Sequence, residues 1–122
     1  MRRLAAALCL LLAGCLTDTT APASALPGTW ALTSVNAQPL PFTYPNGATL
    51  LDKQVVITSN GAYSSTEHYA DGRTHFEEGG YTLYGGIAVF TDVTDGIQYE
   101  AQWTTTTMTQ LVGSYSLGFL KN

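Results

Sequence analysis

The stretch from Gln54 to Thr91 reads QVVITSNGAYSSTEHYADGRTHFEEGGYTLYGGIAVFT and decides the fold. Short runs rich in β-branched and aromatic residues alternate in it with turn dipeptides, which are Asn60-Gly61, Asp71-Gly72 and Gly85-Gly86. Dipeptides of this kind join two neighbouring strands into a β-hairpin. The pattern therefore predicts antiparallel strands that follow one another along the chain.

The loops of two of these hairpins predict their registers, because inner and outer side chains alternate along a strand. A three-residue loop at 59–61 pairs Ile57 with Tyr63. A two-residue turn at Gly85-Gly86 pairs Tyr81 with Phe90. Each register brings apolar side chains together on one face, as a hydrophobic core requires.

A two-residue turn at Asp71-Gly72 would extend this inner face to the third hairpin. It pairs Tyr69 with Thr74 and Glu67 with Phe76. The residues then predicted to face the interior, and a ligand if one is bound, are Tyr63, Glu67, Tyr69 and Phe76.

An inward Glu67 supports two interpretations. It could contact the polar group of a ligand, or be a carboxyl group with a shifted pKa in a pocket. It could instead extend to the rim of the sheet or pair with Arg73 or Lys53. The sequence leaves both open.

The same register places His68 opposite His75, with Glu77 and Thr66 on their face. Two imidazoles and a carboxylate on neighbouring strands could bind zinc or copper. Alternatively, the histidines belong to a polar outer face in contact with solvent. A three-residue loop at 70–72 would put them on opposite faces and exclude a shared site. We expect no metal and no other cofactor, and His68 and His75 are the residues to test for one.

The rest of the chain continues the pattern of short strands and tight turns, with a Pro-rich loop at 39–47 and a break at Glu78-Gly79-Gly80. Strands are predicted at 29–35, 54–58, 62–69, 73–77, 81–84, 87–91, 97–103, 108–112 and 115–120. The short connections favour an up-and-down antiparallel sheet, and closure into a barrel would remove its exposed edges. The sequence predicts an all-β protein, a small antiparallel barrel of about 8–9 short strands.

The N-terminal segment has the order of a secretory signal. Arg2 and Arg3 precede an uncharged apolar run at 4–12, and this run is shorter than the roughly 20 residues that cross a bilayer. Leu12-Ala13-Gly14-Cys15 follows and resembles a bacterial lipobox. The resemblance implies cleavage before Cys15, a lipid on its thiol, and an acyl chain such as palmitate on the new amino terminus. Residues 1–14 are therefore predicted to be a lipoprotein signal peptide.

Residues 16–27 are small and polar, with two prolines and no hydrophobic periodicity. Such composition is typical of a flexible linker. We expect a lipidated Cys15 and flexible tether over residues 15–27, and a folded domain over residues 28–122. Ordinary secretion with cleavage after Ala23-Ser24-Ala25 is the alternative, at a site that lies far from the apolar run.

The charge of the exported chain limits its partners. Loss of Arg2 and Arg3 removes two positive charges and lowers the formal net charge from −4 to −6. An acidic surface repels phosphate backbones and anionic lipid, so we expect no nucleic acid, and membrane contact through the lipid on Cys15. In a cell with two membranes, Leu16 favours the outer membrane, because an Asp at this position commonly retains lipoproteins at the inner one.

Residues 28–36, GTWALTSVN, resemble the opening of a bacterial lipocalin-like domain, which carries G-x-W in its first strand. The similarity includes 38–41, the turn at 60–61, and 80–83, and the ending Phe119-Leu120-Lys121 is similar as well. The resemblance implies a small calycin-type barrel with Gly28 and Trp30 as its barrel-closing motif. In such barrels the Trp packs over the closed end, often beneath a late Arg, and Lys121 is the late basic residue here.

We interpret the chain as a lipid-anchored, lipocalin-like barrel that works by binding rather than by catalysis. The sequence contains no G-x-S-x-G elbow, no Walker loop and no H-E-x-x-H, so we expect no enzyme. The first hypothesis is a lipid-anchored binding protein of the cell envelope with a small hydrophobic ligand. The second is a filled barrel whose surface contacts another envelope protein, as an assembly factor or a protease inhibitor does.

Overall fold

The computed structural model describes residues 21–122. The predicted signal peptide at 1–14, Cys15 and the first part of the predicted tether lie outside the described residues, so these remain predictions. No helix within the described range is long and apolar enough to cross a membrane.

The described chain is all-β apart from one turn of 3-10 helix at Ala23–Ala25. The strands are β1 (Gly28–Val35), β2 (Gln38–Pro39), β3 (Phe42–Thr43), β4 (Thr49–Ile57), β5 (Ala62–Tyr69), β6 (Thr74–Tyr84), β7 (Ile87–Asp92), β8 (Gln98–Trp103), β9 (Thr107–Val112) and β10 (Tyr115–Lys121).

A pairing between β1 and β4 closes the sheet. The strand order is β2-β1-β10-β9-β8-β7-β6-β5-β4-β3, and β1 also pairs with β4 from Gly28 opposite Ile57 to Ala31 opposite Gln54. Eight strands thereby form a closed antiparallel barrel, which confirms the predicted fold class. Of the two short strands, β3 lies within the predicted Pro-rich loop at 39–47 and β2 overlaps its first residue. The up-and-down order follows from the short connections.

Two predicted hairpin registers are confirmed. Ile57 lies opposite Tyr63, and Tyr81 lies opposite Phe90. Gly61 adopts a φ of 95°, which residues with a side chain rarely adopt and which the three-residue loop requires.

The predicted break at Glu78-Gly79-Gly80 is wrong, because β6 continues through it from Thr74 to Tyr84. Gly79 approaches β7 so closely that a Cβ atom there would lie 1.9 Å from the carbonyl oxygen of Thr91. The glycine therefore permits strand contact instead of ending the strand. The strand predicted from residue 54 also begins earlier, at Thr49.

The predicted register of the Asp71-Gly72 hairpin is wrong by one residue. The loop has three residues, 70–72, and the amide of Tyr69 donates to the carbonyl of Arg73 at 2.9 Å. Gly72 has a φ of 91°, as the last residue of such a loop requires. The Asp71 carboxylate accepts a hydrogen bond from the Arg73 amide at 2.9 Å and stabilises this loop.

This shift moves one predicted interior residue to the outside. Glu67 pairs with His75 and Thr66 pairs with Phe76. Phe76 is therefore on the outer face and 58% exposed, so the prediction that it faces a ligand inside the barrel is corrected. A one-residue slip reverses the face of every following side chain in a strand.

The buried core fills the barrel from its closed end, where β1 and β5 begin and β4 ends. Its buried side chains come from every long strand except β6. On each strand they alternate with side chains that point outward. The largest that are fully buried are Trp30, Phe90, Phe119, Leu26, Leu50, Met108, Gln110, Val35 and Val55.

Residues 21–26 pack across the closed end, which corrects the prediction that the flexible tether extends to residue 27. Leu26 is 0% exposed and belongs to the core. The indole N–H of Trp30 donates to the Leu26 carbonyl at 2.9 Å, and that of Trp103 donates to the Pro22 carbonyl at 3.1 Å. Two buried indole donors are thus satisfied by this segment, and burial of Leu26 stabilises it.

Lys121 completes the closed end. Its Nζ lies 5.3 Å from the centre of the Trp30 ring and donates to the Ala25 carbonyl at 2.6 Å. A cation at this distance from an indole ring is attracted by the π-electrons. Lys121 therefore packs over Trp30 and ties the C-terminal strand to the N-terminal segment.

We predict that Leu26→Ala lowers the free energy of unfolding by about 2–5 kcal/mol, because it leaves a cavity in the core. Urea denaturation followed by tryptophan fluorescence measures the change. Ala23→Ser, at an exposed position of the same segment, is the matched control and leaves stability nearly unchanged. Equal stabilities of the Leu26→Ala variant and the wild type would mean that the segment is not docked.

Candidate functional site

Polar side chains gather inside the barrel at the end opposite the N-terminal segment. Glu67 is at their centre: its Oε2 lies 3.3 Å from Nζ of Lys53, and its Oε1 accepts a hydrogen bond from the Tyr69 hydroxyl at 3.0 Å. Nδ1 of His75 lies 3.3 Å from the same Oε1. The side chains of Lys53 and Glu67 are only 6% and 13% exposed, so this ion pair is largely removed from water. We call these four residues the Glu67 cluster.

The loop between β1 and β4, residues 36–48, covers this end with aromatic side chains. The ring of Tyr44 meets those of Tyr115 and Phe42 edge to face, with centroids 5.0 and 5.1 Å away. Burial, and secondly the charge of Glu67, raises the pKa of Tyr44. The loop therefore brings a protonated phenol into the electrostatic field of the Glu67 cluster.

Glu77 on β6 forms a second polar centre on the inner face. Its Oε2 accepts hydrogen bonds from the hydroxyls of Tyr63 at 2.5 Å and Tyr99 at 2.7 Å. The ring of Phe90 packs against both tyrosines, with centroids 5.1 and 5.6 Å away. We call Glu77, Tyr63, Phe90 and Tyr99 the Glu77 cluster. Among the ion pairs of residues 21–122, none includes Glu77.

The two tyrosines of the Glu77 cluster are hydrogen-bond donors at neutral pH. Burial, and then the hydrogen bond to Glu77, raises the pKa of Tyr63. Burial also raises the pKa of Tyr99, followed by its contacts with Tyr63 and Glu77. Both phenols stay protonated, so the single negative charge of the cluster is that of the carboxylate.

The barrel wall is open on one side of Glu77. β6 pairs with β5 from His68 opposite Thr74 to Ala62 opposite Gly80, but its pairing with β7 begins only at Gly79 opposite Asp92. The Glu78 carbonyl still accepts a hydrogen bond from the Val93 amide, at 3.0 Å, so residues 74–77 of β6 have a hydrogen-bonded neighbour on one side only. Thr74, His75 and Phe76 are all exposed, as expected at a sheet edge. This lateral opening gives solvent access to the half-buried Glu77.

A groove of about 450 Å³ lies over the wall next to this opening. It is lined by residues of β5, β6 and β7 and of the loop that follows β7. Because Gly79 and Gly80 have no side chains, Tyr63 also lines the groove. A tyrosine of the Glu77 cluster therefore also borders the surface groove.

Gln110 on β9 places an amide in the apolar core. The residue is 0% exposed, and neither its Oε1 nor its Nε2 has a hydrogen-bond partner among residues 21–122. It lies opposite Ala101, two residues from Tyr99 on the inner face of β8. Leaving a buried amide unpaired costs about 1–3 kcal/mol, so an additional polar partner would be stabilising here.

The structure places the sequence-predicted residues as follows. Tyr63, Glu67 and Tyr69 lie on the inner face, and Glu67 pairs with Lys53, which was one of its two interpretations. His68 and His75 lie on opposite faces because the hairpin loop has three residues. His68 contacts Asp52 on the outer face, with 2.6 Å between Nδ1 and Oδ1. No group of three metal-binding side chains occurs within residues 21–122.

Sequence reasoning missed Glu77 and Gln110 as interior polar residues. The register error placed Glu77 on the outer face, and the correct loop length would have put it inside. Gln110 alternates with the apolar Met108 and Val112 on β9, and this period was the available signal. Polar residues at inner positions of a barrel strand are unusual enough to be examined for function.

Comparison with known proteins identifies the class of fold. A solved structure of a lipocalin-like protein from Bacteroides uniformis superimposes with a TM-score of 0.57, at 14% sequence identity, over 80% of this chain and 99% of that one. The eight-stranded closed barrel therefore has a lipocalin-like fold, as the G-x-W resemblance implied. No protein-family model and no curated protein matches the sequence.

We predict that Lys53→Met destabilises the protein by about 3 kcal/mol, because it leaves the charge of Glu67 buried without its partner. The double variant Lys53→Met/Glu67→Leu removes both charges and recovers most of this loss. The measurement is the urea midpoint of the wild type, both single variants and the double variant. A Lys53→Met variant as stable as the wild type would contradict the ion pair.

Proposed function

We propose that this protein is a lipid-anchored, lipocalin-like protein of the cell envelope that binds a small molecule with an apolar body and a polar group. The observation that carries the proposal is the unpartnered amide of Gln110 inside the barrel. The fold offers an enclosed interior, and the polar inner face of β4, β5 and β6 gives a ligand groups to hydrogen-bond.

The ligand would contact two kinds of surface. The partly buried rings of Phe42, Tyr44 and Tyr115 provide apolar area at the end of the barrel where the Glu67 cluster lies. The Glu67 and Glu77 clusters supply charge and hydroxyl donors near the opening in the wall. Sites that combine apolar walls with a few oriented polar groups are typical of small-molecule binding.

Export and anchoring are the second part of the proposal and rest on the lipobox-like Leu12-Ala13-Gly14-Cys15. Cys15 precedes Ala21, where the described chain begins, by six residues. Six residues span at most about 21 Å, and residues 21–26 lie on the closed end of the barrel. A lipid on Cys15 would therefore hold the closed end next to the membrane and turn the Glu67 cluster away from it. In a cell with two membranes we propose the outer one.

One observation favours the alternative of a protein-interaction module. Residues 74–77 of β6 form a sheet edge that has no partner on the β7 side, and Phe76 on this edge is 58% exposed. Such an edge can accept a strand from another protein. This alternative needs no ligand inside the barrel. Whether a bound molecule provides a hydrogen-bond partner for the Gln110 amide therefore separates it from the first proposal.

We predict that native mass spectrometry of protein released from its own membranes in mild detergent detects a bound small molecule. Gln110→Leu releases this molecule more readily, because the polar partner is lost, yet raises the stability of the ligand-free protein by about 1–3 kcal/mol. Gln102→Leu, at an exposed position of β8, is the control and keeps the molecule. Bare wild-type protein would contradict small-molecule binding and favour the interaction module.

We predict that Cys15→Ser abolishes incorporation of an alkyne-labelled palmitate and moves the protein from the membrane fraction to the soluble fraction. Cys9→Ser, in the apolar run of the signal, is the matched control and leaves both unchanged. Two or three acyl chains anchor a protein stably, whereas one binds reversibly. Label on the Cys15→Ser variant, or none on the wild type, would contradict the anchor.

A further inference from the structure

The edge of β6 at 74–77 carries backbone groups that can pair with a further strand. The Glu78 carbonyl accepts a hydrogen bond from the Val93 amide on the β7 side. Phe76 and Thr74 lie at alternate positions before Glu78, and alternate residues of a strand direct their backbone groups to the same side. Neither residue has a hydrogen-bond partner on that side within the described chain. Each therefore offers an amide and a carbonyl to an added strand.

The loop that follows β7, residues 93–97, does not cover this edge. The amide of Asp92 donates to the Ile97 carbonyl at 3.0 Å, which closes the loop on itself. The Asp92 carboxylate accepts a hydrogen bond from the Thr94 amide at 2.8 Å. The Asp95 carboxylate accepts one from the Ile97 amide at 2.9 Å. Because these groups are satisfied inside the loop, its pairing with β6 stops at its first residue.

Exposed apolar side chains flank the edge. Phe76 is 58% exposed and Val93 is 70% exposed. Val93 also lines the groove of about 450 Å³, where Gly79 and Gly80 have no side chains to fill it. A strand laid along the edge would remove apolar area of Phe76 and Val93 from water, which favours association.

The carboxylates next to the edge have no cationic partner. Glu77 and Glu78 belong to β6, and Asp92 and Asp95 lie at the end of β7 and in its loop. None of the four takes part in an ion pair within the described chain. The described Lys and Arg side chains are engaged elsewhere, and these are Lys53 with Glu67, Arg73 with Asp71, and Lys121 with the Ala25 carbonyl. The edge therefore favours a partner strand that carries positive charge.

A second copy of this chain fits the edge less well than another protein does. Two copies of 74–77 would pair about a two-fold axis perpendicular to the sheet, which directs the closed ends of the two barrels in opposite directions. The lipids predicted on Cys15 would then lie at opposite ends of the pair, which does not suit one membrane. The acidic surroundings of the two edges would also repel each other.

We propose that the edge of β6 at 74–77 binds an extended segment of another protein in which a basic residue directly precedes an apolar one. The segment would pair antiparallel with β6, with its apolar residue opposite Phe76 on the outer face. The basic residue before it would then lie opposite Glu77 and next to Glu78. This site lies on the wall and outside the barrel interior, so the inference is independent of the proposed small-molecule ligand.

The test uses two peptides and the lipidated protein in nanodiscs of neutral phosphatidylcholine, with empty nanodiscs as the blank. The Lys peptide is Thr-Lys-Val-Thr-Val-Thr, and the Glu peptide has Glu in place of Lys. Both carry fluorescein at the C-terminus, and fluorescence anisotropy measures their binding. We expect the Lys peptide to bind about fivefold more tightly, which corresponds to the about 1 kcal/mol of an exposed charge pair.

Thr74→Pro removes one backbone donor of the edge. The Thr74 amide points away from β5, and a proline is tolerated at the first residue of a strand, so the barrel should keep its stability. The affinity for the Lys peptide should fall at least fivefold, because a hydrogen bond is lost and the proline ring obstructs the added strand. Thr74→Val is the matched control, which keeps the amide and should keep the affinity. Urea midpoints of both variants verify that they are folded.

Two further variants locate the charge preference. Glu78→Gln should narrow the difference between the Lys and Glu peptides, because it removes a carboxylate beside the edge. Glu100→Gln, at an exposed position of β8 away from the edge, is its control and should leave the difference unchanged.

Four outcomes would overturn the inference. Equal binding of the two peptides would refute the preference for a basic partner, and absence of binding would refute the site. Equal affinities of Thr74→Pro and Thr74→Val would place the peptides elsewhere on the surface. A dimer of the wild type that Thr74→Pro dissociates would assign the edge to a second copy. None of the four bears on the small-molecule function, which bare protein from the membrane would contradict.

Discussion

The pairing of β1 with β4 is the constraint on which the rest of the structure depends. β1 is bonded to β10 on one side and to β4 on the other, so the sheet closes on itself and its inner side chains lose contact with bulk solvent. Every polar group on that inner face must then find a partner within the barrel or in a ligand. Lys53 with Glu67, and Glu77 with its two tyrosines, meet this requirement, whereas the amide of Gln110 does not among the described residues.

The same closure is incomplete where β6 is longer than its pairing with β7. Gly79 permits close contact with Thr91, whereas residues 74–77 of β6 lie alongside β5 alone. An edge of this kind is a liability in a β-protein unless it is used or protected. Here it lies beside Glu77, so the opening in the wall and the uncompensated charge occur at the same place. The coincidence is the structural reason to regard this side of the barrel, as well as its covered end, as the route to the interior.

The sequence predicts the barrel because its turns and alternation are local signals. The register of two hairpins follows from Gly61 and from Gly85-Gly86. The third does not, because Asp71-Gly72 suits both a two-residue and a three-residue loop. The three-residue loop is stabilised by the hydrogen bond from the Arg73 amide to Asp71 and by the contact of His75, which this register places on the inner face, with Glu67. Leu26 is a lone apolar residue in a polar segment, and its burial depends on Trp30 and on the distant Trp103. Neither of these contacts produces a periodic pattern in the sequence.

The two ends of the barrel differ in what their polar contacts accomplish. At the closed end, two indoles and Lys121 donate to backbone carbonyls of residues 22–26, so each donor has an acceptor and the end is sealed. At the other end and along β6, carboxylates are placed among apolar rings, an arrangement that costs more free energy than an apolar core of the same volume. Glu77 is the acceptor for the hydroxyls of Tyr63 and Tyr99, so a leucine in its place would remove the charge but leave two largely buried donors unpaired.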